Sequence, residues 1–233
     1  MNIRTELIKN KTFPTQINSR ILKHSHEYRV LATLRYLFPS VYSTMTHSDS
    51  PDLQDPIRNI GIEVTDAISE NDAKVSASFA KLRQSKESKK QIRKIESCGY
   101  SFTKMNNDIN IITATGTADK EKVIFQQTIR KKAEKINHYK IHFKTIGLAI
   151  LLPEIPSYFA ENHFHEWIFD VFKEYDNFFS FVYVISERFC IYNNILENKF
   201  EKYLLNEKET IYLRTIGRMT AEGEISLADI EWQ

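Results

Sequence analysis

Residues 60–65 read Ile-Gly-Ile-Glu-Val-Thr, and their strict alternation predicts a short β-strand. Ile60, Ile62 and Val64 fall on one face; Gly61, Glu63 and Thr65 fall on the other. An ionised carboxylate on such a strand costs several kcal/mol unless a cation compensates it. Glu63 is therefore the residue from which the chain is best read. Upstream lies His47-Ser-Asp-Ser-Pro-Asp-Leu-Gln-Asp-Pro56, whose Ser, Asp and Pro content predicts turns rather than regular structure. It holds a second acid, Asp52. The chain between the two can run in, turn near Asp55-Pro56 and Arg58-Asn59, and return, so that both carboxylates stand at one end of a hairpin. A hard cation such as Mg²⁺ is commonly held by one or two carboxylates together with water and substrate phosphate oxygens.

Before this region, Glu27, Val30, Leu31, Leu34 and Phe38 recur at helical spacing, which predicts a helix over about Ser25 to Phe38 that ends at Pro39. Residues 1–20 read as a polar, irregular arm. After it, residues 72–97 read as a basic helix or helix pair and 108–115 as a strand. A long helix is expected from Asp119 to Phe143. Ile146-Gly-Leu-Ala-Ile-Leu-Leu152 is apolar throughout, the pattern of a central strand buried on both faces. A helix over about 158–175 and strands over 178–185 and 188–192 follow; the last forty residues are mixed. Strand, long helix, buried strand, helix, strand is the rhythm of an α/β fold, a central mixed sheet flanked by helices. With 6 Gly and 6 Pro in 233 residues there is little room for a flexible linker, so residues 1–233 read as a single domain.

The stripe of the long helix is Phe125, Ile129, Lys132, Ile136, Tyr139 and Phe143. Lys132 sits on it between two isoleucines, where it either snorkels to water or reaches an anion at the stripe's edge. Gln126 lies close to the same face, and Lys131 and Lys135 flank it.

Pro51-Asp52 followed by Gly61-Ile62-Glu63-Val64-Thr65 resembles the PD…ExK signature of the PD-(D/E)XK, or restriction-endonuclease-like, nuclease superfamily. The resemblance covers about residues 25–152 and implies a restriction-endonuclease-like core there, with 153–233 peripheral. It implies that Asp52 and Glu63 bind Mg²⁺ (or Mn²⁺), and that Glu27, on the helix before the motif, supplies a further acid. By itself Glu27 also reads as an acid favoured near a helix N-terminus. Position 65 is Thr where the signature has Lys. Some members of the superfamily carry that lysine on a neighbouring helix, and Lys132 is the candidate here. The implied activity is metal-dependent phosphodiester hydrolysis, on DNA in preference to RNA, with a role in defence or mobile-element conflict. Enzymes of this kind are often homodimers, because two cuts need two sites. The alternative from another class is an inactive relative serving as a nucleic-acid- or protein-binding module, which Thr65 favours.

The net charge of +2 identifies no partner, but its distribution is uneven. Seven basic residues against one acid lie between Lys81 and Lys94, and eight against two between Lys120 and Lys144. A basic middle third can gather a polyanion on one face, or be a solvated surface. Two cysteines, Cys98 and Cys190, cannot form a thiolate zinc site or a disulfide framework, and no stretch is apolar enough to span a membrane. A cytoplasmic protein is expected. His138 and His142 lack an HExxH context and read as surface residues; no metal is assigned to His163 or His165.

Overall fold

The computed structural model describes residues 18–69, 72, 74, 75, 78, 88–98, 101–105, 108–112, 118–140, 142–152, 156–176 and 178–232, with 101–105 and 108–112 described in their backbone. Its helices are α1 (Ser19–Leu37), α2 (Pro39–Tyr42), α3 (Ser88–Ser97), α4 (Ala118–Ala133), α5 (Ile136–Lys140), α6 (Tyr158–Phe172) and α7 (Glu207–Ala221). The strands are β1 (Thr46–His47), β2 (Leu53–Asp55), β3 (Ile60–Asp66), β4 (Ser101–Met105), β5 (Asp108–Ile112), β6 (Thr145–Leu151), β7 (Phe181–Ile185), β8 (Phe189–Asn194) and β9 (Lys199–Leu204). Seven of them form one sheet in the order β1-β2-β3-β6-β7-β8-β9. The three middle strands, β3, β6 and β7, are parallel; every other neighbouring pair is antiparallel. The mixed α/β sheet expected from the sequence is thus present.

Side-chain alternation splits the core into two layers, one on each face. Ile146, Leu148, Ile150, Val182 and Val184 face α4, α5 and α6, where Phe125, Ile129, Ile136, Phe164 and Trp167 meet them. Ile62, Val64, Ala149, Leu151, Phe181 and Tyr183 face α1 and α7, against Val30, Leu31, Leu34, Leu213 and Ile216. This is why β6 and β7 are apolar at every position: parallel strands between two helical layers have no wet face.

Four features depart from the sequence expectation. Helix α1 begins at Ser19 rather than near Ser25, because Asn18 caps it by accepting from the Arg20 N–H at 2.9 Å. The helix expected over 119–143 is two, α4 and α5. At the break the Lys135 N–H turns to the Lys132 carbonyl and the His138 N–H to that of Lys135, three residues back instead of four. The strand expected at 108–115, taken as part of the core sheet, is β5, which pairs only with β4 in a separate two-stranded sheet; residues 113–115 lie outside the described residues. Asp108 and Asn110 alternate with Ile109 and Ile111, which suits a strand with one wet face but not a place beside β3, and β6 takes that place. Finally, residues 153–233, expected as periphery, supply β7, β8 and β9 and two of the covering helices, α6 and α7. Most of the expected arm at 1–20 and the cations Lys81, Arg83 and Lys86 lie outside the described residues.

Helices α1 and α7 approach closely at Gly217. A Cβ built there would stand 2.6 Å from the Arg29 backbone nitrogen and 2.8 Å from the Ser25 carbonyl oxygen. Backbone atoms of a packed helix cannot step aside, so one added methyl must separate the helices. Gly217→Ala is expected to lower the free energy of unfolding by roughly 1–3 kcal/mol, read as a lower urea midpoint with an unchanged slope.

Candidate metal centre

Strand β2 pairs with β3 only along Ile60–Ile62, whereas β6 accompanies β3 along its whole length. Among the described residues, the outer edge of β3 from Glu63 onward therefore has no strand partner. Asp52, one residue before β2, takes up part of this edge: its Oδ2 accepts from the Val64 N–H at 2.8 Å. The carboxylate is buried, 6% exposed, and its other oxygen lies 3.6 Å from Lys23 Nζ on α1. Burial, then the negative charge of Glu63, raise its pKa from an ordinary 3.8 to about 6, with Glu27 adding to the effect against the Val64 N–H and Lys23.

Glu63 points from β3 towards the α4 layer, as its alternation with Ile62 and Val64 requires. It is 7% exposed, and Lys132 Nζ donates to its Oε1 at 2.6 Å while lying 3.4 Å from the Val64 carbonyl oxygen. Lys132 is thus the residue on the apolar stripe that finds its anion. The break between α4 and α5 brings Tyr139 to the same place: its pKa is pushed well above the usual range by burial, then by the charges of Glu63 and Asp52. That both acids act on this one hydroxyl, and on each other, puts them in one pocket of charge.

Glu27, 3% exposed, stands beside them on α1. Burial would raise its pKa, but the hydrogen bonds from His47 and Lys23 outweigh that and hold it at about 2. His47 Nε2 is 2.7 Å from one carboxylate oxygen and Lys23 Nζ 3.0 Å from the other. The four candidate residues Asp52, Glu63, Lys132 and Glu27 are therefore assembled, and Lys23, His24, His47 and Tyr139, which sequence reasoning did not assign, join them. Lys23 and His24 lay ahead of the expected start of α1, though one helical turn before Glu27. His47 stood within the turn segment that carries Asp52, and Tyr139 on the stripe that carries Lys132.

The donor set tests whether a hard cation suits Asp52 and Glu63. Both offer carboxylate oxygens, the ligands such ions take. Burial and the charge of Glu63 both disfavour a bare charge on Asp52 despite Lys23 nearby, and a cation held by the two acids would relieve both. The residues fit. A second group has different chemistry: one ligand atom each of His24, Glu27 and His47 lies within 4.8 Å of the others.

The surroundings are basic but partly self-neutralised. Arg130 makes a two-pronged pair with Glu174 at 2.6 and 2.9 Å, Lys122 lies 3.7 Å from Asp170, and Gln126 turns away from the acids to donate to the Trp167 carbonyl. On α3, Gln91 and Ile95 are buried while Lys89, Lys90, Arg93 and Lys94 are exposed around a shallow hollow. His138 and His142 are exposed. No helix among the described residues is long and apolar enough to cross a membrane. Compared with known protein families, curated proteins and solved structures, the chain matches none.

Because Asp52 binds its proton more tightly folded than unfolded, the metal-free protein loses stability as pH rises from about 4 through 6. The difference between 3.8 and about 6 corresponds to on the order of 3 kcal/mol. Asn at this position keeps an acceptor for the Val64 N–H without the charge. Urea unfolding in a chelating buffer should show wild type falling below Asp52→Asn across this window, with the gap closed below pH of about 4. Glu27 acts in the opposite sense and lower, its contribution being lost as pH falls from 4.5 towards about 2.

Proposed function

We propose that this protein is a divalent-metal-dependent nuclease with a restriction-endonuclease-like core, hydrolysing phosphodiester bonds of DNA in preference to RNA. The observation that carries the reading is the 2.6 Å contact between Lys132 Nζ and Glu63, with Asp52 buried against the same strand. An acid pair beside an ammonium delivered from the next helix is the set the PD…ExK resemblance implies, with Lys132 standing in for the lysine absent at position 65. The succession of α1, β2 antiparallel to β3, then α4 leading into β6 parallel to β3, supports the same core. Among the described residues the edge of β3 beside the acids has no strand partner, which suits a site that a phosphate must approach.

In this reading Asp52 and Glu63 hold Mg²⁺ or Mn²⁺, which would lower the pKa of a bound water and offset charge on the phosphate. The Val64 N–H fixes one Asp52 oxygen, leaving the other for the cation. Lys132 holds a positive charge beside the reacting phosphate, where an oriented ammonium in a partly desolvated site stabilises developing negative charge. Lys132, donating to Glu63, also keeps its carboxylate oriented. Glu27, clamped by His47 and Lys23, positions Lys23 near Asp52. The exposed cations of α3 hold the backbone without reading bases. A role in defence or mobile-element conflict and action as a homodimer follow from the family resemblance alone, and a cytoplasmic setting from the use of cysteine.

The other reading, an inactive binding module, draws on one observation: Lys132 already neutralises Glu63, so the pair is also a self-contained ion pair on a buried strand. Plasmid and single-stranded DNA incubated with Mg²⁺ or Mn²⁺ separate the two. Cleavage is expected, stopped by EDTA and by Glu63→Gln, and reduced roughly 100-fold or more by Lys132→Met. Protein that binds DNA equally well with and without Glu63→Gln, and cuts with neither metal, would be a binding module. Full activity in Lys132→Met would remove that residue from the mechanism.

A further inference from the structure

His24 and Glu27 are three residues apart on α1 and so share a face, one turn from each other. His47 reaches them from β1. The His24 and His47 rings are 5.0 Å apart between centroids, and the face of His47 is further set by Tyr28, at 4.5 Å. One ligand atom from each of His24, Glu27 and His47 lies within 4.8 Å of the other two. Among the described residues the His24 ring nitrogens have no hydrogen-bond partner. Glu27 is deeply buried, whereas both imidazoles are half-buried, so an ion can enter from the solvent side.

From this geometry we infer a second metal site, built from His24, Glu27 and His47, for a divalent transition-metal ion of the zinc class. The donor types select the ion. Two imidazoles and one carboxylate suit zinc and its neighbours, which accept nitrogen ligands, and do not suit Mg²⁺ or Ca²⁺, which take oxygen. Three protein ligands leave a fourth position to water, as in zinc centres with two histidines and a glutamate. The inference does not rest on nuclease activity, since neither Asp52 nor Glu63 is a ligand.

The change needed is confined to these side chains. His47 Nε2 and Glu27 Oε2 now share a proton across 2.7 Å. The ion takes that proton's place at Nε2: from the neutral ring the proton moves to Nδ1, and from an imidazolium it leaves to solvent, so the metal meets a neutral imidazole in either case. Tetrahedral ligands at zinc bond lengths stand about 3.3 Å apart, so His47 and Glu27 part by about half an ångström while His24, within 4.8 Å of both, closes towards them. The ion sits on the Oε2 side of Glu27, so Lys23 keeps its place on Oε1 beside Asp52. His47 lies five residues before Asp52, and binding at it therefore clamps the segment that carries Asp52 onto α1.

Calorimetric titration of the metal-stripped full chain with Zn²⁺, in excess Mg²⁺ to occupy the carboxylate pair, tests the site. One equivalent should bind, weakened by more than about 100-fold in His24→Gln and in His47→Gln and unchanged in Glu63→Gln. Zn²⁺ should raise the melting temperature of the wild type but of neither histidine variant. Electron paramagnetic resonance of the wild type loaded with one Cu²⁺ needs no variant and should show coupling to two imidazole nitrogens. No uptake of Zn²⁺, uptake undiminished in both histidine variants, or a Cu²⁺ spectrum without nitrogen coupling would each overturn the inference. DNA cleavage with Mg²⁺ alone reads the carboxylate pair separately, so either centre can fail without the other.

Discussion

A carboxylate buried on the strand next to the centre of the sheet is the constraint around which the neighbouring elements are arranged. Glu63 cannot stay ionised at 7% exposure without partners. Two arrive from the same helical layer: Lys132, at the C-terminal end of α4, and Tyr139, on α5. The tightened turn at residues 132–135 separates α4 from α5, and the buried Tyr139 of α5 feels the charge of the same acid. Isoleucines on either side of Lys132 exclude water from its stem, which makes the ion pair stronger than an exposed one.

The opposite side of the site is organised by an edge rather than a face. Strands β1 and β2 are two and three residues long, too short to cover β3. The backbone donor of Val64 would be left without a partner there, and Asp52 satisfies it with a side chain where a longer strand would have used a carbonyl. Ending the ladder early opens the sheet next to the acids. It also brings the segment from His47 to Asp52 against the N-terminal half of α1, so that Glu27, Lys23 and His24 share the neighbourhood. Two kinds of donor set result a few residues apart: oxygen at Asp52 and Glu63, nitrogen with oxygen at His24, Glu27 and His47.

Much of this was legible in the residues. The alternation at 60–65 placed Glu63 opposite Ile62 and Val64, and the apolar run at 146–152 marked a strand covered on both faces. The stripe through Ile129, Lys132 and Ile136 put a lysine where it must either snorkel to water or meet an anion. These are local, periodic signals, and a buried charge among apolar residues is the strongest of them. The histidines gave no such signal. His24 precedes the apolar stripe of α1 and His47 lies in a turn-rich stretch, so neither stands at an improbable position along the chain. Residues 108–112 misled for a related reason: a strand pattern says that a segment extends, not which neighbour it pairs with.

The sequence by itself determined the α/β alternation and the two-sided burial of β6, and it singled out Glu63 and Lys132, because each follows from hydrophobic period and the cost of burying charge; Asp52 and Glu27 were marked by the PD…ExK resemblance. Only the tertiary structure decided that β7, β8 and β9 extend the same sheet, that α4 breaks to deliver Tyr139, and that α1 and β1 bring His24, Glu27 and His47 together. Those outcomes depend on contacts between residues far apart in the chain, whose geometry is set by packing of whole layers and leaves no repeat in the local order of amino acids.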